Sequence, residues 1–202
     1  DKGTLTQDDI RAGLKIGLAK RELMPIFCTS GKRDIGTKRL MEFIINVAPG
    51  PLKAPCFLST EGEEIAADET APAVAFVFKS QVEQHIGEIT YFRVIRGRIA
   101  EGTELVNTRT GNKEKISQLF AVAGKNRIKV TELSAGDIGC TVKLKGTRTN
   151  DTLSAASAPV SIEPIVFPEP RYRAAVKAKE QGDEEKLGKV LNDAKFEDPT
   201  IL

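Results

Sequence analysis

The stretch "FCTSGKRDIG", residues 27–36, sets a Gly-Lys pair behind a short apolar run. A phosphate-binding loop needs a Gly five positions before that Gly and a Ser or Thr after the Lys, so that backbone amides cradle phosphate and a hydroxyl ligates magnesium. Ile26 and Arg33 occupy those two positions, and the pattern fails at both ends. The three cysteines, Cys28, Cys56 and Cys140, have no metal-ligand spacing and form no even framework, which suits a reducing cytoplasm. The single histidine, His85, lies in a polar "EQHIG" turn and reads as a surface residue rather than a base. With one His and no Cys-His cluster, a zinc site or a His-based triad is not expected. Glu61, Glu63, Glu64, Asp68 and Glu69 match no calcium loop and read as a solvated excursion. No metal site is expected.

Charge is uneven along the chain. Of 202 residues with a net charge of +2, residues 73–160 carry thirteen basic and eight acidic groups, and residues 53–72 carry one and five. A mildly basic middle permits contact with nucleic-acid phosphates without demanding it. Arg93, Arg96 and Arg98 fall in a β-rich run where they are expected on one outer face. No apolar run approaches a membrane span, and the polar opening "DKGTLTQDD" is not a signal peptide. The absence of a starting Met suggests a piece of something longer.

These residues must be held by three kinds of texture. Residues 6–23 read as a helix, with Thr6 and Asp9 at capping-box spacing and Ile10, Leu14 and Leu18 on one face. "MPIFC", 24–28, reads as a buried strand. Thr37 is expected to cap a second helix with Leu40, Met41, Phe43, Ile44 and Val47 toward a core. Residues 1–52 therefore read as part of an α/β domain, and 53–72 as an irregular linker. From 73 to 163, short β-rich runs punctuated by Gly suggest a β-barrel. Tyr91 and Phe92 should lie on opposite faces, at least one of them in the core. From 164 to 202, "RYRAAVKAK" alternates like a strand, and "GDEEKLGKVLNDA" reads as a helix capped by Asp183. One strand and one helix cannot bury a core of their own, so this reads as the start of a third, truncated α+β domain.

"GEITYFRVIRGRIAEGTEL", "AVAGKNRIKVTELSAGDIGCTVKLKGTRTNDTL" and "FPEPRYRAAV" followed by "GDEEKLGKVLNDAKFEDPT" resemble, in this order, the second domain and the opening of the third domain of elongation factor G, a translational GTPase family. "FCTSGKRDIGTKRLMEFI" resembles the fifth guanine-nucleotide motif and last helix of that family's GTPase domain. The resemblance implies that Ser30, Gly31 and Lys32 are a base-reading loop, with Gly31 where Ala is usual. It implies a translation-factor-type barrel flanked by a partial α/β segment and a truncated ferredoxin-like segment.

It further implies a central piece of a translocation GTPase, with the small-subunit rRNA of the ribosome and the parent's GTPase and distal domains as partners. Arg93, Arg96, Arg98, Lys125 and Arg127 become candidate rRNA contacts. GTP or GDP and Mg belong to the parent. This stretch lacks a phosphate loop, a switch Thr, Asp-x-x-Gly and Asn-Lys-x-Asp, so no catalysis of its own is expected. A cytoplasmic monomer without membrane association is the expected state. Two alternatives stay open: a tetracycline ribosomal-protection GTPase, and a stand-alone β-barrel interaction module.

Overall fold

The computed structural model describes residues 3–124 and 126–201, which divide into a unit ending at Cys56 and a unit from Phe57 onward. In the first unit, helix α1 (Gln7–Ala19) begins with the expected capping box. Thr6 Oγ1 accepts from the Asp9 amide at 3.2 Å, and the Asp9 carboxylate accepts from the Thr6 amide at 3.0 Å. Each bond satisfies a donor the helix leaves orphaned. The helix stops short of the expected residue 23 because Arg21 turns to φ +60° and the amides of Glu22 and Leu23 fold back to the Gly17 carbonyl. Leu23 Cβ lies 3.2 Å from where a Gly17 Cβ would stand, so Gly17 allows this close approach.

Residues 24–28 are extended but pair with no strand among the described residues. Met24 and Ile26 are 88% and 90% exposed, so the expected buried strand is corrected to an open segment. A strand is buried only by neighbours on its hydrogen-bonding edges and faces. Helix α2 (Thr37–Asn46) follows. Its cap is Gly36 at φ +75°, not Thr37, whose hydroxyl donates to Asp34 instead. Of its expected core residues only Val47 is buried, while Met41 and Ile44 are exposed. Phe43 meets Phe27 edge-on at 4.7 Å.

The second unit is mainly β. The expected linker contains a small hairpin, β1 (Phe57–Leu58) and β2 (Glu64–Ile65). Then come the long antiparallel pair β3 (Val74–Glu83) and β4 (Gly87–Arg96), and β5 (Arg98–Ala100), β6 (Glu104–Asn107) and β7 (Lys113–Lys115). After them run β8 (Phe120–Ala123), β9 (Asn126–Lys129), β10 (Glu132–Ser134), β11 (Ile138–Val142) and β12 (Thr152–Ser154). Eight strands form one antiparallel sheet in the order β7-β6-β12-β3-β4-β11-β8-β9, and β5 pairs with β10. The sheet wraps a single inner core that includes Val77, Phe92, Val94, Ile99, Leu105, Ile116, Leu119 and Leu153.

A bulge in β4 gives this sheet a second buried face. Arg96 pairs with Val74 and Val94 with Ala75, leaving Ile95 as the extra residue. Val94 enters the inner core, whereas Ile95 joins Val74, Phe76, Ile65 and Ile162 outside it. The β1–β2 hairpin therefore covers part of the barrel's outer wall and is no free linker. Gly97, at φ +74°, closes the same corner: a Cβ there would stand 2.6 Å from Ala71 O and from Ala73 Cα. Phe92 is fully buried, and Tyr91 lies half-buried on the opposite face, with Lys79 Nζ 5.3 Å from its ring centroid.

Beyond β12 the chain is stitched back onto the barrel. Ile162 N donates to Thr152 Oγ1 at 3.0 Å, and Asn150 exchanges two 2.9 Å bonds with the Ile165 backbone. Residues 171–178 then run without strand pairing, contrary to their alternating pattern, and 171–177 are exposed, with Tyr172 86% exposed. Helix α3 (Glu184–Glu197) forms as expected, but Asp183 makes no capping bond and accepts from Lys186 Nζ at 2.7 Å. The helix packs by β3, where Glu197 accepts from the Val82 amide at 2.7 Å.

Candidate functional site

The loop of Ser30, Gly31 and Lys32 lies between the open segment and α2. Ser30 and Ile35 bridge through two backbone bonds of 2.9 and 3.1 Å, which pinch the loop closed. Gly31–Arg33 form a single 3-10 turn, ended by Asp34 at φ +51°. The amides of Gly31 and Lys32 make no internal bond among the described residues, which leaves two neighbouring donors available. That is the arrangement a planar carbonyl acceptor requires. A Cβ on Gly31 would meet nothing within 4 Å, so Ala would be accommodated in the loop as it stands.

The expected basic face is present, but its cations are engaged. The cross-strand partners of Arg93 and Arg96 are Phe76 and Val74, which puts both arginines on the outer wall. Arg93 stacks over Phe57 at 5.3 Å, and its Nε is buried without a partner. Arg96 Nε donates to Pro72 O at 3.2 Å. Arg98 sits on β5, donating to Glu132 at 2.8 Å and to Glu69. Its guanidinium is held above the ordinary arginine range first by the Glu132 bond and then by the charge of Glu69. Arg127 pairs with Glu83 on another part of the sheet, and Lys125 lies outside the described residues. The four described positions are engaged with different partners.

A different cluster, not anticipated from sequence, is the most highly organised polar site. Asp151, 2% exposed, accepts from Arg109 Nε and Nη2, from Asn107 Nδ2 at 2.8 Å and from the Arg148 amide at 2.9 Å. Burial alone would raise its pKa; the bonds from Arg109, Arg148 and Asn107 outweigh this and leave its carboxyl below the usual range. Glu114, also buried, accepts from the Lys145 amide and Thr147 Oγ1, both at 2.8 Å. Together they tie the turn after β6 to the loop before β12. Nearby, a cleft of about 790 Å³ opens between this loop and α3.

Two comparisons bear on the barrel. Residues 72–156 match the family model described as elongation factor G domain 2. The barrel is similar to elongation factor G domain 2. A crystal structure of a protein from Thermus thermophilus resembles the chain with a TM-score of 0.78 at 26% identity, over 99% of this chain. The chain spans 30% of the length of that protein.

The knot around Asp151 thus lies inside the matched residues, while Ser30–Lys32 and α3 lie outside them. One signal in the sequence could have pointed to the knot. "NTRTGN" and "TRTND" each offer an Asn and Thr beside an Arg next to strands, and buried strand ends use such groups to satisfy one another.

Proposed function

We propose that this chain is the central part of an elongation factor G-like translational GTPase, acting in ribosomal translocation. The observation that carries the reading is the domain 2 match, joined to a fold similarity that continues through both flanks. In this reading the barrel docks on small-subunit rRNA and relays nucleotide-dependent movement between the parent's GTPase domain and its distal domains. The two free amides at Gly31 and Lys32 are the chain's share of the guanine site. GTP, magnesium and the hydrolytic groups belong to the parent, and this stretch catalyses nothing alone. The bare segment 24–28 and the apolar side of α2 are surfaces for the rest of the GTPase sheet. The protein works as a monomer in the cytoplasm.

Arg93, Arg96, Arg98 and Arg127 remain the proposed phosphate contacts on the barrel. Arg98 reaches rRNA by exchanging a carboxylate for a phosphate, since each offers two oxygens to its fork. Co-sedimentation with ribosomes across a salt series is the test. Saturable binding, displaced by intact elongation factor G and weakening with salt, is expected. Arg98→Ala should flatten the dependence of log K on log salt by about one contact. Absence of displaceable binding at micromolar chain, in low salt, would overturn docking through this part of the protein.

A further inference from the structure

The cleft between the barrel and α3 has the chemistry of an anion site. Its lining includes the Arg109–Asp151 pair and Arg148 from the barrel, and Lys195 from α3. Among the lining residues Asp151 is the only acid, and it is already saturated by Arg109, Asn107 and the Arg148 amide. Arg148 and Lys195 are exposed and make no ion pair among the described residues. Two unneutralised cations therefore face a concave space, and focused charge of this kind concentrates anions.

The site is built rather than incidental. Asp151 holds Arg109 by two nitrogens, and the Gly146 carbonyl accepts a third bond from it at 3.0 Å, so Arg109 has little rotamer freedom left to lose. Asp151 also fixes the backbone of Arg148 through its amide. Half-buried Phe167 and Phe196 stand in the same lining and offer apolar faces to a planar ring.

We propose that this cleft binds a phosphate-bearing ligand carrying a planar ring, a nucleotide unit, with Arg148 and Lys195 on the phosphate and Phe167 and Phe196 on the ring. Because Arg148 belongs to the barrel and Lys195 to α3, the bound anion clamps the helix to the barrel. It adds to the contact that Glu197 makes with the Val82 amide. The clamp does not depend on ribosome docking.

The test is a titration of the full chain, followed by amide NMR, with pyrophosphate, guanosine monophosphate and a short single-stranded oligoribonucleotide. Saturable shifts in residues 108–110, 146–150 and 192–196 are expected, with affinity falling about tenfold in Arg148→Ala/Lys195→Ala, and further in Arg148→Glu. Both substitutions are at exposed positions, and unchanged barrel spectra verify the fold. Lys143→Ala, outside the cleft, should change nothing. Guanosine monophosphate should bind more tightly than pyrophosphate, and Phe196→Leu should remove that advantage. An oligoribonucleotide stronger than the mononucleotide makes a strand the source of the nucleotide unit, and equal affinity makes it a free nucleotide. Shifts scattered over all basic residues, undiminished in the double variant, overturn the proposal. So does an absence of saturable binding by all three probes at millimolar concentration.

Discussion

The two units use apolar residues in opposite ways. In the barrel, Val77, Phe92, Val94, Ile99, Ile116 and Leu153 are fully buried. In residues 3–56, Val47 is the only buried apolar side chain, while Met24, Ile26, Met41, Ile44 and Ile45 are all exposed. Both regions are apolar enough in sequence to make a core. The difference is closure. An antiparallel sheet that coils on itself supplies both walls of its core, whereas two helices and one extended segment supply one side only. Local signals such as a capping box or an amphipathic stripe can thus produce well-formed helices without burying what they carry.

Substitutions should separate the two regions, and the largest effect belongs in the inner core. Phe92→Ala should cost about 4 kcal/mol of barrel stability in denaturant unfolding. Phe43→Ala, whose ring touches Phe27 at a half-buried position, should leave that transition unmoved. A barrel indifferent to Phe92→Ala would dissolve the contrast.

Gly97→Ala should cost about 3 kcal/mol, combining the positive-φ penalty with a Cβ placed against Ala71 and Ala73. Gly31→Ala, in open space at negative φ, should cost little and should preserve any guanine contact. Measuring both by thermal unfolding sharpens the contrast between a closed corner and an open loop.

Asp151→Asn should cost about 2 kcal/mol, below the usual cost of breaking a fully buried pair because Arg109 keeps access to water. The pH dependence has a definite sign. The folded pKa of Asp151 is depressed below its ordinary 3.8, so its stabilisation is complete above the unfolded value. It drains as pH falls through the folded value. Acid titration of barrel stability should therefore lose a component below about pH 4 in Asp151→Asn, and an unchanged acid limb would remove Asp151 from the account.

The smallest effect concerns the thiols. Burial raises the Cys140 thiol, whereas Cys28 and Cys56 are exposed, so alkylation should label the latter two and spare Cys140 until the barrel unfolds.

What the sequence revealed follows the same division. The barrel strands were legible because β-rich runs between glycines are local, and α1 was legible from Thr6 and Asp9 alone. The strand expected at 24–28 failed because an apolar run indicates what a segment could bury, not whether a partner is beside it. The caps expected at Thr37 and Asp183 failed because competing groups, Asp34 and Lys186, took their side chains. The two halves of the Asp151 knot each left a local trace, but their pairing did not, because Asn107 and Asp151 lie 44 residues apart and meet only when β6 and β12 pair. The basic residues were found, but their carboxylate partners, Glu69, Glu132 and Glu83, also come from distant segments.

Amide hydrogen exchange on the intact chain tests the central claim, that a closed barrel carries the stability and its flanks do not. Amides of β3, β4, β11 and β12 should exchange only by opening of the whole barrel, while those of 24–28 and 171–178 exchange near the unprotected rate. Uniform protection across residues 7–48, 73–160 and 165–201 would contradict the account.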